Sequence, residues 1–153
     1  MKKLVKYACV FVLMFSGCNF LWQHNPEKAR DMAESFLNAI YVENNFNKAY
    51  QMCDEKMKKI FGIDFLENTS KKFKTKYVAL ERLVPDSYFY EQGDRSITIF
   101  FSGLSEKGIS YHKVILEYDE KGEYKIISTF FLEKPFDGYR NLKKFRTDSI
   151  PVR

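Results

Sequence analysis

Residues 96–104 read SITIFFSGL, and their alternation decides the architecture. Ile97, Ile99 and Phe101 fall on one side of an extended chain, and Ser96, Thr98 and Ser102 on the other. Successive side chains of a strand point to opposite faces, so this pattern is a β-strand with one buried face. The same period of two recurs on both sides of it. It predicts strands over 77–84, 88–91, 109–118 and 124–133, divided by turn residues at Pro85-Asp86, Gln92-Gly93-Asp94, 105–108 and 119–122. Turns this short force neighbouring strands to run antiparallel. Pro135 closes the predicted sheet, and residues 135–153 follow as a basic tail with Arg140, Lys143, Lys144, Arg146 and Arg153.

Upstream of residue 77 the period is helical. Asn25-Pro26-Glu27 supplies an N-cap, a first-turn proline and an acid at the positive end of the helix dipole. Ala29, Ala33, Phe36, Leu37 and Ile40 recur at helical spacing through about Glu43, and Asn44-Asn45 interrupts them. A second helix carries Phe46, Ala49, Tyr50, Cys53, Met57 and Ile60 on one face and stops at Gly62. Asp64 with Glu67 has the spacing of a capping box, opening a third helix that packs Leu66, Thr69 and Phe73. Helices first and hairpin-linked strands afterwards define an α+β fold, with N-terminal helices on one face of an antiparallel sheet of four or five strands. The length suits one domain with a hydrophobic core.

The first residues read as an address. Met1-Lys2-Lys3 with Lys6 is a basic start, an apolar run follows from Val10 to Phe15, and Phe15-Ser16-Gly17-Cys18 closes it. This layout resembles the signal of bacterial lipoproteins, with Phe15 where leucine is usual. The resemblance implies a signal peptide over 1–17, lipid on Cys18 and a tether over 18–25, in which Phe20, Trp22 and the solvated His24 lie. It places the protein in a bacterial cell envelope, at the outer or the cytoplasmic membrane, with the membrane as a partner through that lipid. Each buried methylene contributes about 0.8 kcal/mol, so two or three acyl chains anchor a protein for good. Lys2, Lys3 and Lys6 supply three of the formal +5 charges, and losing them removes most support for nucleic-acid binding. Cys9 would leave with the signal, so Cys53 stands alone, without a disulfide or a cysteine zinc site, as a buried inert thiol.

The element order, the helical stretch ARDMAESFLNAIYVENNFNKAY over 29–50 and the strand spacing resemble the NTF2-like (cystatin-like) superfamily over 26–134. The resemblance implies a curved sheet wrapped on the N-terminal helices to form a cone, and homodimers made through the sheet. Enzymes of that superfamily use an Asp or His base and a Tyr or Asp donor to a developing oxyanion. Tyr41, Tyr50, Asp54, Tyr88, Tyr90, Tyr111 and His112 are the residues able to supply such groups. None stands in an alignable motif, so no catalytic residue is assigned. Tyr41, Tyr50, Tyr88, Tyr90, Tyr111 and His112 remain as candidate pocket lining.

No cofactor or metal is expected. His24 and His112 are the two histidines, without a second ligand at metal spacing, and no glycine-rich phosphate loop occurs. Basic residues concentrate at Lys56, Lys58, Lys59, Lys71, Lys72, Lys74 and Lys76, against Asp64 and Glu67. They form either a solvated helix face or, through Lys71, Lys72 and Lys74, a contact with an anionic surface. Phe100-Phe101 and Phe130-Phe131 present an aromatic to both faces of the sheet, so the face away from the helices must cover a ligand, a dimer partner or the tail. The expected function is a lipid-anchored envelope accessory protein that binds a small ligand or protein partner without catalysis. The alternatives are an assembly or inhibitor-type lipoprotein docking an envelope protein, and a small acid–base pocket enzyme.

Overall fold

Asn25 starts the first helix by accepting the Lys28 amide on its side chain at 3.0 Å, with Pro26 in the first turn. The computed structural model describes residues 23–119 and 121–145; the signal-like segment 1–17, Cys18, Phe20 and Trp22 lie outside the described residues. Helix α1 (Pro26–Tyr41) turns Ala29, Ala33, Phe36, Leu37, Ala39, Ile40 and Tyr41 into the core. Asn44, in the left-handed region, turns the chain into α2 (Phe46–Met52), which is capped by Asn45.

The expected second helix is two helices. Asp54 accepts the Met57 amide on Oδ1 at 2.7 Å and so caps a new helix, α3 (Glu55–Ile60). Its own N–H meanwhile donates to the Ile126 carbonyl at 2.9 Å, and Cys53 bridges in parallel to Ile126. A side-chain cap and a sheet hydrogen bond together outweigh continuation of the helical ladder. The expected capping box is also absent. Helix α4 (Ile63–Tyr77) is entered through Gly62, and Asp64 lies inside its first turn, where its charge suits the dipole.

Helix α4 takes in Tyr77, the first residue of the stretch 77–84 expected to begin the sheet. Tyr77 closes it, and the Ala79 N–H returns to the Tyr77 carbonyl at 2.9 Å around Val78, which has φ 67° and ψ −74°. That geometry is a γ-turn of the strained hand, held by a β-branched residue. The first strand then begins later than expected and does not stop at the proline: β1 (Arg82–Phe89) continues through Pro85-Asp86. Its register against the next strand shifts between Pro85 and Ser87, so the predicted turn is a bulge. A proline without an N–H is tolerated at such an irregularity. Asp86, displaced by the bulge, accepts the Ser102 hydroxyl at 2.6 Å.

The remaining strands follow the alternation. They are β2 (Ser96–Ser105), β3 (Gly108–Tyr118), β4 (Tyr124–Leu132) and a short β5 (Lys143–Lys144). All pairings are antiparallel and the order is β4-β3-β2-β1-β5. The fold is therefore α+β, with four helices among the described residues on a five-stranded antiparallel sheet. Ile97, Ile99, Phe101, Val114, Leu116, Tyr124 and Ile126 line its inner face against α1.

The opposite face is covered by the chain itself. Beyond β4, Phe136 and Tyr139 lie over Phe100 at 5.8 and 4.9 Å between ring centres, and Lys113 donates to the Tyr139 hydroxyl at 3.1 Å. The chain then pairs Lys143 and Lys144 with Tyr88 and Ser87 and buries Phe145 against Tyr88. The described part of the expected tail is thus a strap across the sheet.

Replacing Val78 with glycine should release the strain of the γ-turn, since glycine populates positive φ freely, though its greater unfolded-state entropy offsets part of the gain. A rise in the urea midpoint equivalent to about 1 kcal/mol is expected for Val78→Gly; a fall would show that Val78 is unstrained.

Candidate functional site

Two places on the helix side carry chemistry, and they adjoin. The first is His112, on the inner face of β3 and fully buried. Its ring lies 5.3 Å from that of Tyr41, 5.6 Å from Phe73 and 6.3 Å from Phe131. The Ser110 hydroxyl donates to the Gly103 carbonyl at 3.2 Å, so it receives the Nε2–H of His112 at 2.9 Å. That fixes the tautomer and leaves the Nδ1 lone pair buried without a partner. Burial pushes the His112 pKa down to about 4, because a second proton on Nδ1 would meet no acceptor. Gly103 makes room for this arrangement: a Cβ there would stand 2.6 Å from Ser110 Oγ and 2.8 Å from His112 Nε2.

The second is an open cleft of about 230 Å³ between α4 and β4. Tyr41, Phe65, Thr69 and Lys72 form one side, and Thr129, Phe130, Phe131 and Leu132 the other. Burial holds the Tyr41 phenol well above its usual pKa, so it is a neutral hydroxyl at the back of the cleft. Tyr41 and Phe131 separate the cleft from His112, which does not line it.

The other candidate residues are dispersed. Tyr50 donates to the Lys58 carbonyl at 3.1 Å and braces α3. Tyr88 sits under Phe145 at the β1 edge. Tyr111, in register with Ser102 and Leu132, is on the sheet face away from the helices. Tyr90 meets His24, and this changes the reading of the tether. His24 is half-buried, donates from Nε2 to the Asp94 carbonyl at 2.9 Å, and shares the Tyr124 hydroxyl at 3.1 Å with the Asn25 amide. Its ring stacks on Tyr118 and tilts against Tyr90, and desolvation lowers its pKa despite the Asp94 carbonyl. His24 is therefore docked on the sheet, while Gln23 and Asn25 beside it are exposed.

The three lysines do not act as one patch. Lys71 pairs with Glu67 at 2.7 Å and Lys74 donates to Asn44. Only Lys72 faces the cleft, and among the described residues it has no carboxylate partner. Cys53 is buried, and loss of solvent pushes its thiol up to about 12, which makes it inert at neutral pH. No group of three potential metal ligands occurs among the described residues, and no helix there is long and apolar enough to cross a membrane. Phe65 and Thr129 were given no role by sequence reasoning; the spacing of Phe65, Thr69 and Lys72 on one helix face was the available signal. Compared with family models, curated proteins and solved structures, the chain matches none.

The unfolded chain binds a proton on His112 below its ordinary value of 6.5, whereas the folded chain does not until about 4. Stability from this residue is thus full above 6.5 and falls as the pH drops to 4, by about 3 kcal/mol. Urea titrations at pH 7.5 and pH 4 should show that extra loss in the natural chain but not in His112→Leu. Equal losses in both would place the acid sensitivity elsewhere. Gly103→Ala should destabilise by roughly 1–3 kcal/mol through overpacking against Ser110 and His112, read as a lower urea midpoint at neutral pH.

Proposed function

We propose that this chain is a lipid-anchored, non-catalytic binding domain of a bacterial envelope, tethered through Cys18 and offering the α4–β4 cleft to a ligand or partner. The cleft carries the reading. On the sheet face away from the helices the chain's own Phe136 and Tyr139 cover Phe100, whereas the cleft is open and joins aromatic walls to Lys72, which has no carboxylate partner among the described residues. Of the candidate acid–base residues only Tyr41 reaches it, as a neutral phenol, which supports binding over proton transfer. The lipobox-like run Phe15-Ser16-Gly17-Cys18 supports the anchor. The helix-then-sheet order supports kinship with NTF2-like domains, in which helices and sheet enclose a binding space. His24 docked on Tyr118 and Tyr124 would hold the domain at a short, defined reach from the lipid.

Expression of the full chain in a bacterial host fed an alkyne-labelled fatty acid tests the anchor. The natural chain should take the label and sediment with membranes, and Cys18→Ala should lose both. A label that persists in Cys18→Ala, or a natural chain that never takes it, would overturn the anchored reading. Native mass spectrometry of the detergent-released chain tests the cleft. A bound mass that is lost on denaturation and diminished in Thr69→Trp would support it, and one unchanged by that substitution would put binding elsewhere.

A further inference from the structure

The cleft touches Thr129, Phe130, Phe131 and Leu132, four consecutive residues of one strand. Alternate residues of a strand point to opposite faces. Thr129 and Phe131 stand opposite the inward residues Val114 and His112, and Phe130 and Leu132 opposite the outward Lys113 and Tyr111. A hollow that meets both sets runs along the edge of the strand, where the backbone lies, and not over one face of the sheet. Strand β4 is the end strand of the sheet, paired only with β3. Its outer backbone groups from Ser128 to Leu132 are therefore unpaired by any described strand.

The opposite wall is one stripe of a helix: Phe65, Thr69 and Lys72 recur at the i, i+4, i+7 spacing of α4. The same strand edge already accepts a pairing of this type at its start, where Cys53 bridges to Ile126 and the Asp54 amide donates to the Ile126 carbonyl. Beyond that point no described strand pairs with the edge, and just past its end Glu133 forms an ion pair with Lys76 of α4. A groove between a helix and a free strand edge is the geometry in which extended peptides add to sheets: backbone hydrogen bonds hold them, and pockets for alternate side chains select them.

We propose that the α4–β4 groove binds an extended peptide segment of a partner protein by strand addition to β4. One apolar side chain of the peptide enters between Phe65, Tyr41 and Phe131, and an acidic residue two positions away, on the same face of the extended peptide, meets Lys72. This rests on the binding reading above and names its partner class. Charge chooses the occupant. A second copy placed on the same edge by two-fold symmetry would set its own α4 face opposite this one, lysines against lysines. An acidic, apolar peptide meets Lys72 favourably and needs no rearrangement of Lys71 or Lys76, whose carboxylate partners are in place.

The test uses the full chain in detergent as bait for a phage-displayed library of random heptapeptides, with Lys72→Glu as the decoy bait. Lys72 is exposed, so the decoy should fold, which its thermal transition checks. Selection should enrich peptides with one large apolar residue two positions from an Asp or Glu. The best of them, made synthetically, should slow amide exchange across 128–132 at least tenfold and bind Lys72→Glu at least tenfold more weakly. Methylating its backbone nitrogens should abolish binding. No enrichment over the decoy, or a methylated peptide that binds as well, overturns strand addition. So do amides at 128–132 already protected in a chain that sediments as a dimer, which would give the edge to a second copy. If peptides fail while a Thr69→Trp-sensitive bound mass persists, the cleft still binds and only the peptide assignment falls.

Discussion

The sheet of this protein is apolar on both faces, and the rest of the structure follows from that constraint. Strand β2 sends Ile97, Ile99 and Phe101 to one side and Phe100 to the other, and all four are buried. Burying an aromatic side chain is worth roughly 1.5–3 kcal/mol, so neither face can be left to water. The helices satisfy the inner face, with the stripe of α1 from Ala29 to Ile40 at its centre. The outer face is satisfied from within the same chain, by Phe136 and Tyr139 and by the alkyl and ammonium groups of Lys113 lying among Phe130, Phe136 and Tyr139. Both covers come from the chain itself; on the outer face Ile109, Phe130 and Leu132 stay about half-exposed.

The two edges of the sheet are treated differently. At one end, β5 pairs with β1, and Phe145 turns from it into the core beneath the Arg30 guanidinium. Only two residues of pairing are made, but they fall beside the bulge at Asp86, where the strand is already irregular. At the other end, β4 is covered at Ile126 and open beyond it. Free strand edges invite association, and proteins commonly blunt them with charge, proline or irregular geometry. Here the run Thr129-Phe130-Phe131-Leu132 carries none of those guards, and the register shift of β4 lies earlier, between Ile115 and Leu116 of its partner strand.

The elements readable from sequence are those fixed by short-range chemistry. Asn25, Pro26 and the apolar stripe define α1 at both ends, and alternation between glycine-containing turns places β2, β3 and β4 within a residue or two. What escaped is decided by distant partners. Pro85-Asp86 has the chemistry of a turn, yet pairing along β2 on either side carries the strand through it as a bulge. Cys53-Asp54 has helical periodicity on both flanks, and only Ile126, far along the chain, reveals the break. Lys143-Lys144 has no periodicity at all. At the site, Tyr41 and Lys72 were visible as residue types, but nothing local shows that an α4 face and the edge of β4 stand across a cleft from each other. His24 was misread for the same reason, since Tyr118, Tyr124 and the Asp94 carbonyl come to it from the far end of the sheet.

The strap has a consequence for the order in which the molecule can be completed. Its residues follow the strands in the chain, so Phe136, Tyr139 and Phe145 cover surface on β1, β2 and β3 that is made before them. A nascent chain that has reached only β4 holds a sheet with one face wet and with Tyr88 uncovered at its margin. Vectorial synthesis would therefore carry a sheet with part of its apolar surface uncovered until residues 136–145 emerge. Closure by residues 136–145 is the step that withdraws this surface from the association to which partly folded chains are prone.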